Sequence, residues 1–174
     1  MDGPAAVQVQ DAFRLIYAEA FAEPPHEETA DDVAAAFRLF PVQAGRPGFR
    51  AVLARDAQGK PIGMAYGHPV PPDTTWWDEL TRPVPDAMRR EDGRCTFGLM
   101  ELAVRRPWRR QGVARRLHDM LLDGIAAERV LLNVHPASRA APAAYRTWGY
   151  HKIGEARRDE AAPLRDVMLL DLLT

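Results

Sequence analysis

The run Arg109-Arg110-Gln111-Gly112-Val113-Ala114 holds the residue types of an anion site. Two guanidiniums precede a glycine, and that glycine opens an amphipathic helix. The first turn of a helix leaves backbone N–H groups unpaired and carries the positive end of the dipole, which suits a phosphate. Gly112 has no side chain to obstruct such a group, and Ala114 has almost none. The N–H groups of Gln111 to Ala114, with Arg109 and Arg110, would thus cradle a phosphate-bearing cofactor. Arg105, Arg106, Arg115 and Arg116 crowd the same stretch. For Arg115 and Arg116 a solvated helix face is an equal reading. Just upstream, alternation along Phe97-Gly98-Leu99-Met100-Glu101-Leu102-Ala103 puts Glu101 on the face of Phe97, Leu99 and Ala103. A carboxylate there is costly unless paired, hydrated or used. It is read as a general base, with a structural carboxylate as the alternative and His135 as a second candidate base.

These residues need elements to hold them. The pattern predicts a strand over 99–104, a helix over 112–125, a strand over 130–134, and a short alanine-rich helix from Arg139 that ends before Gly149-Tyr150. Upstream, Phe13, Ile16, Tyr17, Ala20 and Phe21 recur at helical spacing, and Pro24-Pro25 ends that helix. Thr29 and Asp32 form a capping pair for a second helix with the face Val33, Phe37 and Phe40, which Pro41 is expected to stop. A hairpin follows, with strands 49–55 and 61–68 around the turn 56–60. Ala5–Val9 is the one stretch available for an N-terminal strand, which is therefore short or missing. Two last strands are expected over 151–155 and 166–172. Helices and strands alternate without a linker, which predicts an α/β (α+β) domain over 1–174 with a mixed, mostly antiparallel central sheet flanked by helices.

The stretch 69–96 interrupts this order with five prolines around Trp76-Trp77 and Leu80. It is too apolar for a free linker and longer than ordinary loops. The expectation is an insertion beside a binding pocket, with Trp76 and Trp77 contacting substrate. Burial on the domain's own flank, or in a homodimer interface, is the alternative. Asp73, Asp78 and Glu79 around the pair would favour a cationic amine.

From Leu99 to Tyr150 the chain resembles the GNAT superfamily of acyl-CoA-dependent N-acyltransferases. The family signature Gln/Arg-x-x-Gly-x-Gly/Ala is met by Arg109 to Ala114, and strand, helix, strand and the Tyr145/Gly149-Tyr150 turn follow in the family's order. The resemblance implies a GNAT-like fold and transfer of an acetyl group from acetyl-CoA to an amine by direct attack in a ternary complex. It implies that Leu102, Ala103 and Val104 offer the strand edge to the pantetheine arm. Arg109, Arg110, Gln111, Gly112, Val113, Ala114 and Arg115 would hold the phosphates, and Arg105 or Arg106 would reach the adenosine 3′-phosphate. Tyr145, four residues before Gly149, takes the place of the family's general acid and also contacts the cofactor. Glu101 occupies a position where several members carry a glutamate. Ser138 stands where the family often has an asparagine; its shorter reach puts that cofactor contact in doubt, though it can cap the helix from Arg139.

Composition narrows the function further. The 174 residues carry a formal charge of −1, which gives no global attraction to nucleic acid or an anionic membrane. One cysteine, Cys95, excludes an internal disulfide and suits a reducing cytoplasm. No apolar run reaches the length of a membrane span, and no signal-peptide pattern opens the chain. The histidines lack metal-ligand spacing, and no phosphate-binding Gly-x-x-x-x-Gly-Lys-Ser/Thr loop occurs. A small-molecule amine is the expected partner. A catalytically silent acyl-CoA sensor is the competing reading.

Overall fold

A computed structural model describes residues 1–172. The helices are α1 (Gly3–Gln8), α2 (Gln10–Phe21), α3 (Ala30–Ala44), α4 (Asp86–Arg89), α5 (Val113–Leu122) and α6 (Ala140–Thr147). The strands are β1 (Arg50–Arg55), β2 (Pro61–Pro69), β3 (Thr96–Val104), β4 (Arg129–Val134), β5 (His151–Ala156) and β6 (Arg165–Asp171). The sheet order is β1-β2-β3-β4-β6-β5. β3 runs parallel to β4, while β1–β2, β4–β6 and β5–β6 are antiparallel, so the sheet is mixed and mostly antiparallel as expected. Two compact units divide the chain, 1–68 with 99–125 and 69–98 with 126 onward. Among the described residues no helix is long and apolar enough to cross a membrane.

The first unit is built on an aromatic core. Phe13, Ile16 and Tyr17 of α2, Val33 and Phe40 of α3, and Ala51, Met64, Tyr66 and Ala103 from the strands share one buried cluster. Thr29 caps α3 as the sequence suggests: its hydroxyl accepts the Asp32 N–H at 3.3 Å, and its own N–H donates to Asp32 Oδ2 at 2.8 Å. Asp56 Oδ1 accepts the Gln58 and Lys60 N–H groups and closes the β1–β2 turn. The N-terminal strand is missing, and one expectation fails. Residues 5–9 form no strand; α1 occupies that stretch, capped by Asp2. α3, instead of stopping at Pro41, runs through it to Ala44. Its last turn is clamped: Phe40 and Ala44 are buried, and Gly3 of α1 lies so near Ala44 that a Cβ would meet the Ala44 carbonyl. Tertiary contact there outweighs the donor that proline removes.

The second unit is centred on the inserted stretch. Trp77 is buried with Leu131, Ala156, Val167 and Leu169. Leu80 bridges Ala156, while Arg157 N–H donates to the Glu79 carbonyl and Thr81 N–H to the Glu155 carbonyl, both at 2.8 Å, so the insertion covers the edge of β5. A buried carboxylate pins it down. Glu91 Oε1 accepts from Trp77 Nε1 (3.0 Å), Thr96 Oγ1 (2.7 Å) and an Arg129 guanidinium nitrogen (3.1 Å). The Glu91 side chain is fully buried, and the Arg129 guanidinium stacks over the Trp77 ring. Glu91→Gln keeps an acceptor but leaves the Arg129 charge without its counter-ion. We expect it to lower stability by about 2 kcal/mol, a fall in melting temperature of roughly 4–8 °C for a chain of this size. A melting curve unchanged within a degree would contradict this role.

Candidate active site

The cradle lies in the first unit. α5 forms because Val113, Leu117, His118 and Leu121 make one buried stripe. Its N-cap is Gly112, in the left-handed region at φ 76°. The first ladder bond runs from the Arg116 N–H to the Gly112 carbonyl at 3.1 Å. The N–H groups of Val113, Ala114 and Arg115 therefore stand ahead of the ladder, and no side chain caps them. Arg110 also has positive φ, at 64°. Left-handed residues at both positions turn successive N–H groups toward one concavity, the shape that takes an anion. Nothing lies within 4 Å of where a Cβ on Gly112 would stand, so the loop faces open space. These residues fit a diphosphate.

The arginines divide in a way the sequence did not reveal. Arg105 is buried and forks onto Glu19 with N–O distances of 2.6 and 2.9 Å; its third bond goes to the Pro61 carbonyl. Arg109 donates Nε to the Val104 carbonyl at 2.9 Å and an NH group to Glu23 at 2.7 Å. The Arg109 hydrogen bond, reinforced by its charge, holds the Glu23 carboxyl below its usual range. These two guanidiniums tie the cradle loop to α2 and the residues just after it, and Arg105 no longer suits a 3′-phosphate. Arg115 pairs with Asp119 on the helix surface at 2.8 Å. Arg106, Arg110 and Arg116 are exposed as well, Arg106 within 3.9 Å of Glu23. Glu19 and Glu23, four apart, carry no motif that would announce this pairing from sequence.

β3 leads into this loop. The Arg105 N–H donates to the Ile62 carbonyl at 2.9 Å, toward β2. Backbone direction alternates along a strand, so Ala103 also faces β2 while Leu102 and Val104 face the other way. On that second side the Val104 carbonyl already receives Arg109. Gly63 lets α5 approach β2, since a Cβ there would stand 2.9 Å from Leu117 Cδ1.

Glu101 is half-buried in β3. Its surroundings contain residues that sequence reasoning missed. The Tyr66 phenol is pushed well above its ordinary range, first by burial and then by the charges of Glu101, Tyr17 and Glu28. Tyr17 Oη donates to Glu28 Oε1 at 3.0 Å, and Glu28 Oε2 is buried without a hydrogen-bond partner. Phe21 and Phe37 pack against the Tyr17 ring. The Tyr66 phenol thus lies in the field of both carboxylates, Glu101 and Glu28. Tyr17 had read simply as part of the apolar stripe of α2.

Tyr145 belongs to the second unit. It is buried in α6, its ring edge-on to Trp148 and Tyr150, both at 5.3 Å. Gly149 at φ 97° reverses the chain, and the Tyr150 N–H closes the helix onto the Tyr145 carbonyl. Ser138 does not cap α6. The cap position is Arg139, without a side-chain bond, and the Ser138 N–H goes to the His135 carbonyl. His135 Nδ1 accepts the Ala137 N–H at 3.2 Å, which engages the lone pair a base needs. Burial, then Arg165, lowers the pKa of its imidazole. Trp77 is enclosed in the core and has no surface left for substrate; Trp76 is half-buried and donates Nε1 to Asn133 Oδ1 at 3.2 Å. Asp78 is ion-paired with Arg89.

Residues 8–150 match the model of the acetyltransferase (GNAT) family. No curated protein matches the chain. Among solved structures, PH1933 from Pyrococcus horikoshii OT3 superposes with a TM-score of 0.65 at 16% identity, over 92% of this chain and 88% of that one. Aminoglycoside 6′-acetyltransferase type Ii gives 0.63 at 15% identity, over 100% and 96%. The NatC complex bound to Gag peptide and CoA gives 0.61 at 18% identity, over 95% and 94%. At these identities the likeness concerns the fold.

Proposed function

Because the chain belongs to the acetyltransferase (GNAT) family and is therefore an acyltransferase, we propose that it transfers an acetyl group from acetyl-CoA to a primary amine of a small molecule, in the cytoplasm, by direct attack while both reactants are bound. The observation that carries this reading is Gly112, left-handed, at the opening of α5 and facing open space. Acetyl-CoA, when bound, supplies the acetyl group as a thioester. Gln111 to Ala114 hold its diphosphate through backbone N–H groups, and Arg110 adds the exposed positive charge. Arg109 and Arg115 act at one remove, through the ion pairs that shape the loop and α5. Leu102 and Val104 offer backbone groups on the β3 edge turned away from β2, with Ala103 between them setting the spacing, and Ser138 is a weaker contact for the same arm.

Glu101 takes the proton of the incoming ammonium, and Tyr145 gives one to the departing sulfur. Tyr17, Tyr66 and Glu28 hold the environment in which Glu101 works. Glu101→Gln should lower kcat/KM about a hundredfold at pH 7, with the deficit shrinking as pH rises and more amine arrives already neutral. A deficit that does not change with pH would remove Glu101 from the base role.

One similar fold is named as an aminoglycoside 6′-acetyltransferase and another, the NatC complex, is bound to a Gag peptide and CoA, so an acceptor panel is the direct test. Thiol release from acetyl-CoA should appear with at least one small amine and be absent without any. Tight acetyl-CoA binding with no turnover on any amine would replace the enzyme by a sensor.

A further inference from the structure

Alternation on β4 and β6 gives the second unit a face that changes character along its length. Leu131, Val167 and Ala156 lie in the cluster that buries Trp77. Two residues on, the same faces carry Asn133 on β4 and Arg165 on β6, where apolar side chains would continue the core. A cavity of about 270 Å³ opens there, lined by Asn133, Arg165, Ala156, Glu79 of the insertion, and Arg158 and Pro163 of the β5–β6 connection.

The polar groups around this cavity point to an occupant. Trp76 occupies Asn133 Oδ1, so the donors of that amide, its NH2 group, are what it has left to offer. Arg165 is only partly exposed, and among the described residues no carboxylate pairs with it. The nearest carboxylate to Arg158 is Asp159, at 3.8 Å on the surface. Two guanidiniums bordering one cavity repel each other unless an anion sits between them. Glu79 contributes the single carboxylate, and its backbone carbonyl, bonded to the Arg157 N–H, holds it at the rim. His135 registers the same field, since Arg165 helps to lower its pKa.

We propose that this cavity is a binding site for a small zwitterion: Arg165, Arg158 and the Asn133 amide take its carboxylate, and Glu79 takes its ammonium. A cavity of about 270 Å³ has room for a molecule the size of a small dipeptide. The cavity is lined by residues of the second unit alone, so the proposal does not depend on the acetyltransferase reading above.

The test is calorimetry on the full chain with three probes: glycylglycine, sodium acetate and inorganic phosphate. Glycylglycine should bind at millimolar concentration and more tightly than acetate. Arg165→Gln and, separately, Arg158→Gln should each weaken it at least tenfold with acetyl-CoA affinity unchanged. Arg158 lies in an exposed connection, so that variant keeps the test readable should Arg165→Gln fold poorly. Glu79→Gln should bring glycylglycine down to the affinity of acetate. Absence of glycylglycine binding, phosphate binding more tightly than glycylglycine, or undiminished affinity in both arginine variants overturns the proposal. Acetyl-CoA is titrated in the same series. Glycylglycine binding without acetyl-CoA binding sinks the acetyltransferase reading and leaves this site in place; the reverse result does the opposite.

Discussion

Tyr145→Phe should lower kcat by a factor of about 10² to 10⁴ while leaving the affinity for acetyl-CoA close to that of the native chain. The substitution removes one oxygen and nothing else. The ring keeps its edge-on packing on Trp148 and Tyr150, and the α6 terminus at Gly149 does not depend on the hydroxyl. Folding should therefore lose about 1 kcal/mol, the worth of one hydrogen bond. Proton transfer to the sulfur as the C–S bond breaks lowers that barrier and keeps the thiol from re-attacking, and this is the step that Phe cannot serve. Two measurements separate this from a structural role: steady-state thiol release gives kcat, and calorimetry with acetyl-CoA gives affinity. A kcat within threefold of native would leave Tyr145 as packing. A loss of affinity equal to the loss of rate would make it a binding residue.

Much of this arrangement was legible because it is local. Gly112 at the mouth of a helix, Thr29 facing Asp32, and the turn closed by Asp56 are short-range features whose chemistry acts over a few residues. What escaped is long-range. Arg105 and Arg109 look like phosphate ligands until Glu19 and Glu23, 86 positions away in sequence, are brought against them. The assembly of Tyr17, Glu28, Tyr66 and Glu101 comes from three separate elements and the α2–α3 connection, so no spacing announces it. Pro41 shows the converse error: a valid local rule gave way to burial of Phe40 and Ala44 and to the close approach of Gly3. Trp76 and Trp77 were recognised as too apolar for a linker. Which of them remains near the surface depends on Glu91 and Arg129, which only the tertiary structure brings together.

That division of the arginines sharpens the case of Gly112→Asp, which should weaken acetyl-CoA binding by about 10² to 10³-fold in a chain that still folds. Folding should survive for three reasons. No atom lies within 4 Å of the new Cβ. Aspartate tolerates the left-handed region better than most residues. A carboxylate at the N-cap is also favourable for the helix, through the first-turn N–H groups and the dipole. The last point is what damages binding, since the carboxylate engages the donors that a diphosphate needs. It also sets a like charge against the diphosphate: at about 5 Å and an effective dielectric near 20, one pair of unit charges repels by about 3 kcal/mol, more than a hundredfold in affinity. Arg105 and Arg109 cannot compensate, because each already serves a glutamate. Gly112→Ala isolates the backbone contribution, adding a Cβ and left-handed strain of about 1–2 kcal/mol without a charge, and should cost roughly tenfold. The charge argument also requires the loss in Gly112→Asp to shrink as ionic strength rises, while the loss in Gly112→Ala stays constant. If Gly112→Asp melts like the native chain and binds acetyl-CoA equally well, the phosphates lie elsewhere and α5 opens onto nothing but solvent.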